Sequence, residues 1–280
     1  MTNSTAPALG QWANAPLVFV LAQVRFLPQA GVTPENIRDA ITKRLASRFS
    51  TIQPTSSLDI QINLDGAAQL ANTISQNLVG YDMLNTDVDA MIRIFNGSIT
   101  YATTRYQNSS TFLDEWMEIL VSLSEVGISN VNRLGLRYVD FLTPREGKVP
   151  EDYVVSPWDC RHMVKLPGST GLPDMNVSMM DVPYPQGRMR IQFMRGFGIP
   201  NLPADLQGML PPAKQINNDI GLCGIIDTDR WLDGQHATEV DGLRSTFKLM
   251  HKDLSGAFQA MTTEWAQQEW KKTLNIGGAS

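Results

Sequence analysis

The sequence predicts an α+β protein built on antiparallel sheet, and three observations carry that expectation. Runs of alternating apolar and polar residues recur along the chain, an Asn96-Gly97 pair joins two of them, and two capped segments with helix-spaced apolar stripes lie between such runs. The order over the first half is strand, helix, extra strand, hairpin, helix, strand. Without the extra strand this is the βαββαβ order of a ferredoxin-like unit. A long C-terminal helix is expected to pack on the second half.

Residues 15–28, APLVFVLAQVRFLP, are rich in β-branched and aromatic side chains and end at a proline, which reads as a strand. A helix follows, with Thr33 as N-cap, Pro34 at the first helical position and Ile37, Ile41, Leu45 and Phe49 as its stripe. Residues 57–64 alternate, with Leu58, Ile60, Ile62 and Leu64 on one face. Residues 85–95 place Val88, Ala90, Ile92 and Ile94 on one face and Asp87, Asp89 and Arg93 on the other, and meet SITYATTRY across Asn96-Gly97. The second helix, 110–127, carries Phe112, Trp116, Ile119 or Leu120, and Leu123 along one side and ends at a glycine.

The second half is proline-rich. Ten of the sixteen prolines fall between Pro150 and Pro212, which excludes long helices there. MNVSMMDV, GRMRIQFM and residues 219–231 read as strands. The chain closes on one amphipathic helix over 241–272, with Leu243, Phe247, Met250, Leu254, Phe258, Met261 and Trp265 as its stripe. The expected organisation is a loosely ordered tail over 1–14, an α+β half over 15–143, an irregular segment with short strands over 144–212, a strand plus helix over 213–272, and a flexible tail over 273–280.

Composition excludes several classes of function. The longest apolar run has eight residues, far below the roughly 20 needed to span a bilayer. The first residues show neither the basic nor the apolar region of a secretion signal, and Cys160 and Cys223 are the only cysteines. A reducing, cytoplasmic setting is expected. A net charge of −5 and a pI near 5.2 argue against broad binding to nucleic acid or anionic lipid. No nucleophile elbow, phosphate-binding glycine loop or zinc spacing occurs, so no cofactor, metal or catalytic residue is assigned.

The stretch VNRLGLRYVDFL, 131–142, poses the sharpest question. Strand alternation sends Leu134, Leu136 and Tyr138 one way and Arg133, Gly135 and Arg137 the other. The two arginines then flank a gap at Gly135 that could admit a carboxylate, a phosphate or a crossing backbone. Alternatively, they join a cross-strand ladder with Asp87 and Asp89, or with Asp227 and Asp229, which share a face of IIDTDRW. That aspartate pair could also hold a metal or divide acid and base roles, with His251 as the third ligand. His251 lies on the apolar side of the last helix, where bonding to a backbone carbonyl is the plainer expectation. Arg188, Arg190 and Arg195 form a candidate basic patch with Arg133 and Arg137.

The blocks APLVFVLAQVRF, YQNSSTFLDEWMEIL, RLGLRYVDFL, IIDTDRW and LMHKDLSGAFQAMTTEW, in that order, resemble an uncharacterised, sporadically distributed prokaryotic family of about this length, marked by a Leu-Arg-Tyr motif. The likeness covers about 15–265. It implies no established reaction, but patchy distribution is common among defence and toxin-antitoxin genes. Asp140 departs from the family, where asparagine is commoner after the motif. The expected function is a non-enzymatic binding or regulatory module for a protein partner, in such a gene pair. The alternative is a nucleic-acid-binding or metal-assisted phosphoester enzyme using the Arg133, Arg137, Asp227, Asp229 face. No membrane association is expected, and a homo-oligomer stays open.

Overall fold

The computed structural model describes residues 14–62, 72–145, 147–162, 174–198, 201–210 and 221–271. It is an α+β protein. The elements run β1 (Leu17–Arg25), α1 (Pro34–Leu45), β2 (Thr51–Ile62), β3 (Asn72–Leu84), β4 (Ala90–Phe95), β5 (Ser98–Thr103), α2 (Ser109–Glu125), β6 (Asn130–Leu142), β7 (Asn176–Tyr184), β8 (Gly187–Gly198), β9 (Gly221–Ala237), α3 (Val240–Met261) and α4 (Glu264–Lys271). All nine strands form one antiparallel sheet in the order β2-β3-β4-β5-β1-β6-β9-β8-β7.

That sheet is larger than the sequence suggests. The strand β3 went unread because NTISQNLVGYDML mixes polar and apolar residues without a clean alternation and contains Gly80. A Cβ on Gly80 would sit 2.0 Å from the Ile94 carbonyl oxygen, so only glycine allows β4 this close. Leu58, Ile60 and Ile62 fall where side chains are not described, and Leu64 and most of the two tails lie outside the described residues. Asn14 donates its amide to the Trp270 carbonyl at 3.0 Å.

Local signals act as expected in the helices and the tight hairpin. The Thr33 hydroxyl accepts from the Asn36 amide, and Asn36 reaches back to the Thr33 amide, so both ends of the first turn of α1 are satisfied. Gly97 takes φ +89 in the two-residue turn between β4 and β5. The start of β4 differs from expectation. Asn85 accepts from the amides of Asp89 and Ala90 and closes a turn over 85–89. Asp87, Val88 and Asp89 therefore leave the strand, and Val88 is exposed at φ 55 rather than on the core face. The last helix is also two helices. Thr262 adopts extended backbone and bridges to Val154, while the Val155 amide bonds Met261, and this tether interrupts the helical ladder.

The helices cover one face of the sheet. There Trp116 of α2 meets Phe247 of α3 edge-on at 5.9 Å and stacks with Tyr101 of β5. The main core runs continuously from Val20 and Ile37 to Met261 and Trp270. A second, smaller core lies on the outer face, where Leu202, Leu206, Met209 and Leu210 cover Phe19, Met91, Ala102, Val139 and Phe141. Among the described residues, no helix is long and apolar enough to cross a membrane.

Candidate functional site

Alternation along β6 places its side chains as the sequence indicates. Leu134, Leu136 and Tyr138 are buried on the helix side, and Arg133, Gly135 and Arg137 lie on the outer face. The register then supplies their neighbours: Arg137 stands opposite Asp229, Gly135 opposite Trp231 and Arg133 opposite Asp233 on β9.

Arg137 belongs to a ladder. Its Nε and Nη2 donate to the two carboxylate oxygens of Asp227 at 2.8 and 2.7 Å, and the guanidinium also binds Asp205 from the turn over Ala204–Leu206. Asp227 retains only 4 % of its side-chain exposure, so a bidentate partner is what makes its burial tolerable. Asp87 and Asp89 take no part: Asp89 pairs with Arg105, in the turn that displaced both from the strand.

The metal-site alternative loses its third ligand. His251 is on the helix side, where its Nδ1 shares a 2.8 Å hydrogen bond with the Tyr138 hydroxyl, while Asp227 and Asp229 face outward. Burial lowers the imidazole pKa. Among the described residues no three His, Cys, Asp or Glu side chains are grouped to hold a metal ion.

The expected basic patch is divided: Arg188 and Arg190 share the outer face with Arg133 and Arg137, and Arg195 does not. Arg190 pairs with Asp181 at 2.9 Å on the outer face, and Arg188 is exposed on that face. Arg195, an odd number of residues away, points inward and contacts the fully buried Glu151 at 2.7 Å. Glu151 also accepts from the Cys160 thiol at 3.0 Å, and burial raises that thiol's pKa to about 11. This cysteine is poorly suited to act as a nucleophile.

Two carboxyls have pKa values raised, both first by burial. Asp140 is enclosed beside Tyr106 and Tyr138, with the charge of Asp227 adding to the effect, and its pKa is pushed well above the usual range. Asp229 is raised to about 6 by burial, with the charge of Asp227 adding to the effect and the guanidinium groups of Arg137, Arg133 and Arg190 opposing it. A group whose folded pKa exceeds its unfolded value of 3.8 destabilises the fold as pH rises between the two. Asp229→Asn should therefore add about 3 kcal/mol above pH 6 and nothing near pH 3. Asp140→Asn should also stabilise increasingly as pH rises above about 4. A neutral aspartic acid already matches asparagine in size and in hydrogen-bonding groups. Urea denaturation of both variants across this pH range tests the sign, and a loss of stability at pH 7 in either would contradict it.

At the far end of the outer face the structure brings Arg188 into the row next to Arg133, two members of the expected basic patch, and adds Arg25, Gln23 and Trp231, which no sequence pattern links to them. Arg25 of β1 stands directly across from Arg133, Gln23 across from Gly135, and Arg188 of β8 across from Trp231. Trp231 shares the parity of Asp227 and Asp229, which is the signal that could have revealed it. Arg25 and Arg188 needed the register, which joins segments distant in the chain.

At the sheet edge, β7 pairs only with β8 among the described residues. Met175, Val177, Met179, Met180 and Phe197 are exposed there. A groove of about 310 Å³ beside them is lined by Met175, Val177, Met194, Phe197, Leu202 and Ile225. Fold and surface together define an α+β protein whose single sheet carries arginines and Trp231 at one end of its outer face and exposed apolar side chains along β7. No protein-family model matches the chain, and no curated protein matches it significantly.

Proposed function

We propose that this protein is a binding module that captures an extended, apolar segment of another protein at β7. The observation that carries this reading is the juxtaposition of a strand edge that is unpaired among the described residues with five exposed large apolar side chains. An incoming strand would bond to the unpaired backbone of β7 and seat alternate side chains in the methionine-lined groove. Methionine suits such a surface because its flexible thioether adapts to varied shapes. Clustered exposure of this kind marks interaction sites on otherwise soluble folds.

The finer fold reading supports a scaffold role. The central order β4-β5-β1-β6, with α1 and α2 between its strands in sequence, supports reading this part of the sheet as a ferredoxin-like unit with the β2-β3 hairpin as an insertion. We place the protein in a reducing, cytoplasmic compartment, in keeping with its two buried, unpaired thiols. The family resemblance makes the toxic member of a defence gene pair the partner to seek first.

Affinity purification from native cells, comparing wild type with Val177→Lys and Met179→Lys, tests the reading. The expected result is a stoichiometric partner that is lost from both variants, with β7 amides protected from hydrogen exchange in the complex. A partner retained by both variants, or protection confined to β7 in a homodimer, would overturn it.

A further inference from the structure

We infer that the end of the outer face around Gly135 is a binding site for single-stranded nucleic acid, independent of the β7 edge. Five neighbouring strands bring Thr100, Gln23, Gly135, Trp231 and Arg188 into one row, and the adjacent row holds Arg25 and Arg133.

The charge at this end lacks sufficient internal compensation. Arg25 and Arg133 are opposite each other on hydrogen-bonded strands, where like charges repel. Among the described residues Arg25 bonds only the neutral Gln23 side chain, at 2.9 Å. Arg188 makes no ion pair among the described residues. Among the described residues Arg133 forms an ion pair with Asp233 alone, at 3.7 Å, where Asp233 is itself 58 % exposed, and it also acts at longer range on Asp229. Elsewhere on this face the guanidinium groups are spoken for: Arg137 by Asp227, Arg190 by Asp181 and Arg93 by Asp82. Three arginines set against Asp233 and the neighbouring Asp229 leave a local excess of positive charge on a protein whose net charge is −5.

The aromatic component is Trp231, half-buried at the centre of the row, with the Arg133 guanidinium 5.0 Å above its ring. A base can stack on the outer plane of that guanidinium or on the indole once Arg133 turns to a phosphate. Gly135 leaves room beside the indole, since a Cβ there would meet nothing closer than 3.8 Å. Gln23, already donating to Thr100, presents an amide beside that space. The row is made of side chains from five adjacent strands, and such a surface suits a polymer laid across strands better than a small molecule, which needs a concave site. The row spans four strand spacings, roughly 19 Å, enough for a short stretch of single strand.

Fluorescence anisotropy with labelled oligouridine of about a dozen nucleotides tests this. Three phosphate contacts predict a log–log salt slope near −2. Trp231→Ala should weaken binding roughly 10- to 100-fold, and Arg25→Ala and Arg133→Ala should each reduce the slope by about 0.7. Arg188→Glu repeats the test at an exposed position, so a folding defect cannot explain its loss, and Met179→Lys should bind as wild type. The inference is overturned by absence of binding at low salt, by binding that survives these substitutions, by equal affinity for a duplex of the same length, or by a mononucleotide binding as tightly as the oligomer. Failure here leaves the β7 reading standing, and a partner retained by Met179→Lys leaves this one standing.

Discussion

Arg137→Ala is expected to destabilise the protein by about 3–5 kcal/mol. The loss arises less from the missing arginine than from what it leaves behind. Asp227 is nearly buried and receives two hydrogen bonds from Arg137, so truncation strands a carboxylate in a low-dielectric setting. Asp205, 64 % exposed, returns to water at little expense. Denaturant titration of Arg137→Ala, Asp227→Asn and the double variant at neutral pH gives the coupling. The double variant should recover much of the loss, because the orphaned charge is gone. A cost below about 1 kcal/mol for Arg137→Ala would show that Asp227 is solvated or protonated without its partner.

Trp116→Ala should be of similar size, about 3–5 kcal/mol, for a different reason. The indole is fully buried where α2, α3 and β5 converge, touching Phe247 and Tyr101, and no single neighbour can fill the space. Its Nε1 is buried without a hydrogen-bond partner among the described residues. Trp116→Phe should therefore cost much less than alanine, since it removes an unsatisfied donor along with part of the ring. Thermal or urea unfolding of both variants decides this. If phenylalanine proves as damaging as alanine, shape rather than volume governs the site.

Much of this architecture was legible because local rules acted where backbone and core agree. Thr33, Pro34 and the stripe Ile37, Ile41 and Leu45 name α1, and the Asn96-Gly97 pair names its hairpin. The interruption at Thr262 was not legible, because the bridge that breaks the helix comes from Val154, far earlier in the chain. The candidate sites divide the same way. Period-two alternation correctly put Arg133 and Arg137 on one side of β6 and would have put Trp231 with Asp227 and Asp229. It also separates Arg195 from Arg188 and Arg190. What alternation cannot supply is the identity of the strand next door. Arg25 opposite Arg133, and Asp205 closing over Arg137, depend on register and on a turn whose position no local pattern announces.

The central place of β1 has a consequence for how the chain acquires its structure. This strand is made early, yet its neighbours are β5 on one side and β6 on the other, and the outer side of β6 is completed only by β9 near the end. During synthesis Val18, Val20, Ala22 and Val24 must wait for partners while the intervening residues emerge. Loop-closure entropy over such separations makes folding slow compared with a helical bundle of similar size. The growing chain carries an apolar, unpaired strand throughout that interval, and this makes the nascent protein, rather than the finished one, the form most dependent on protection from aggregation.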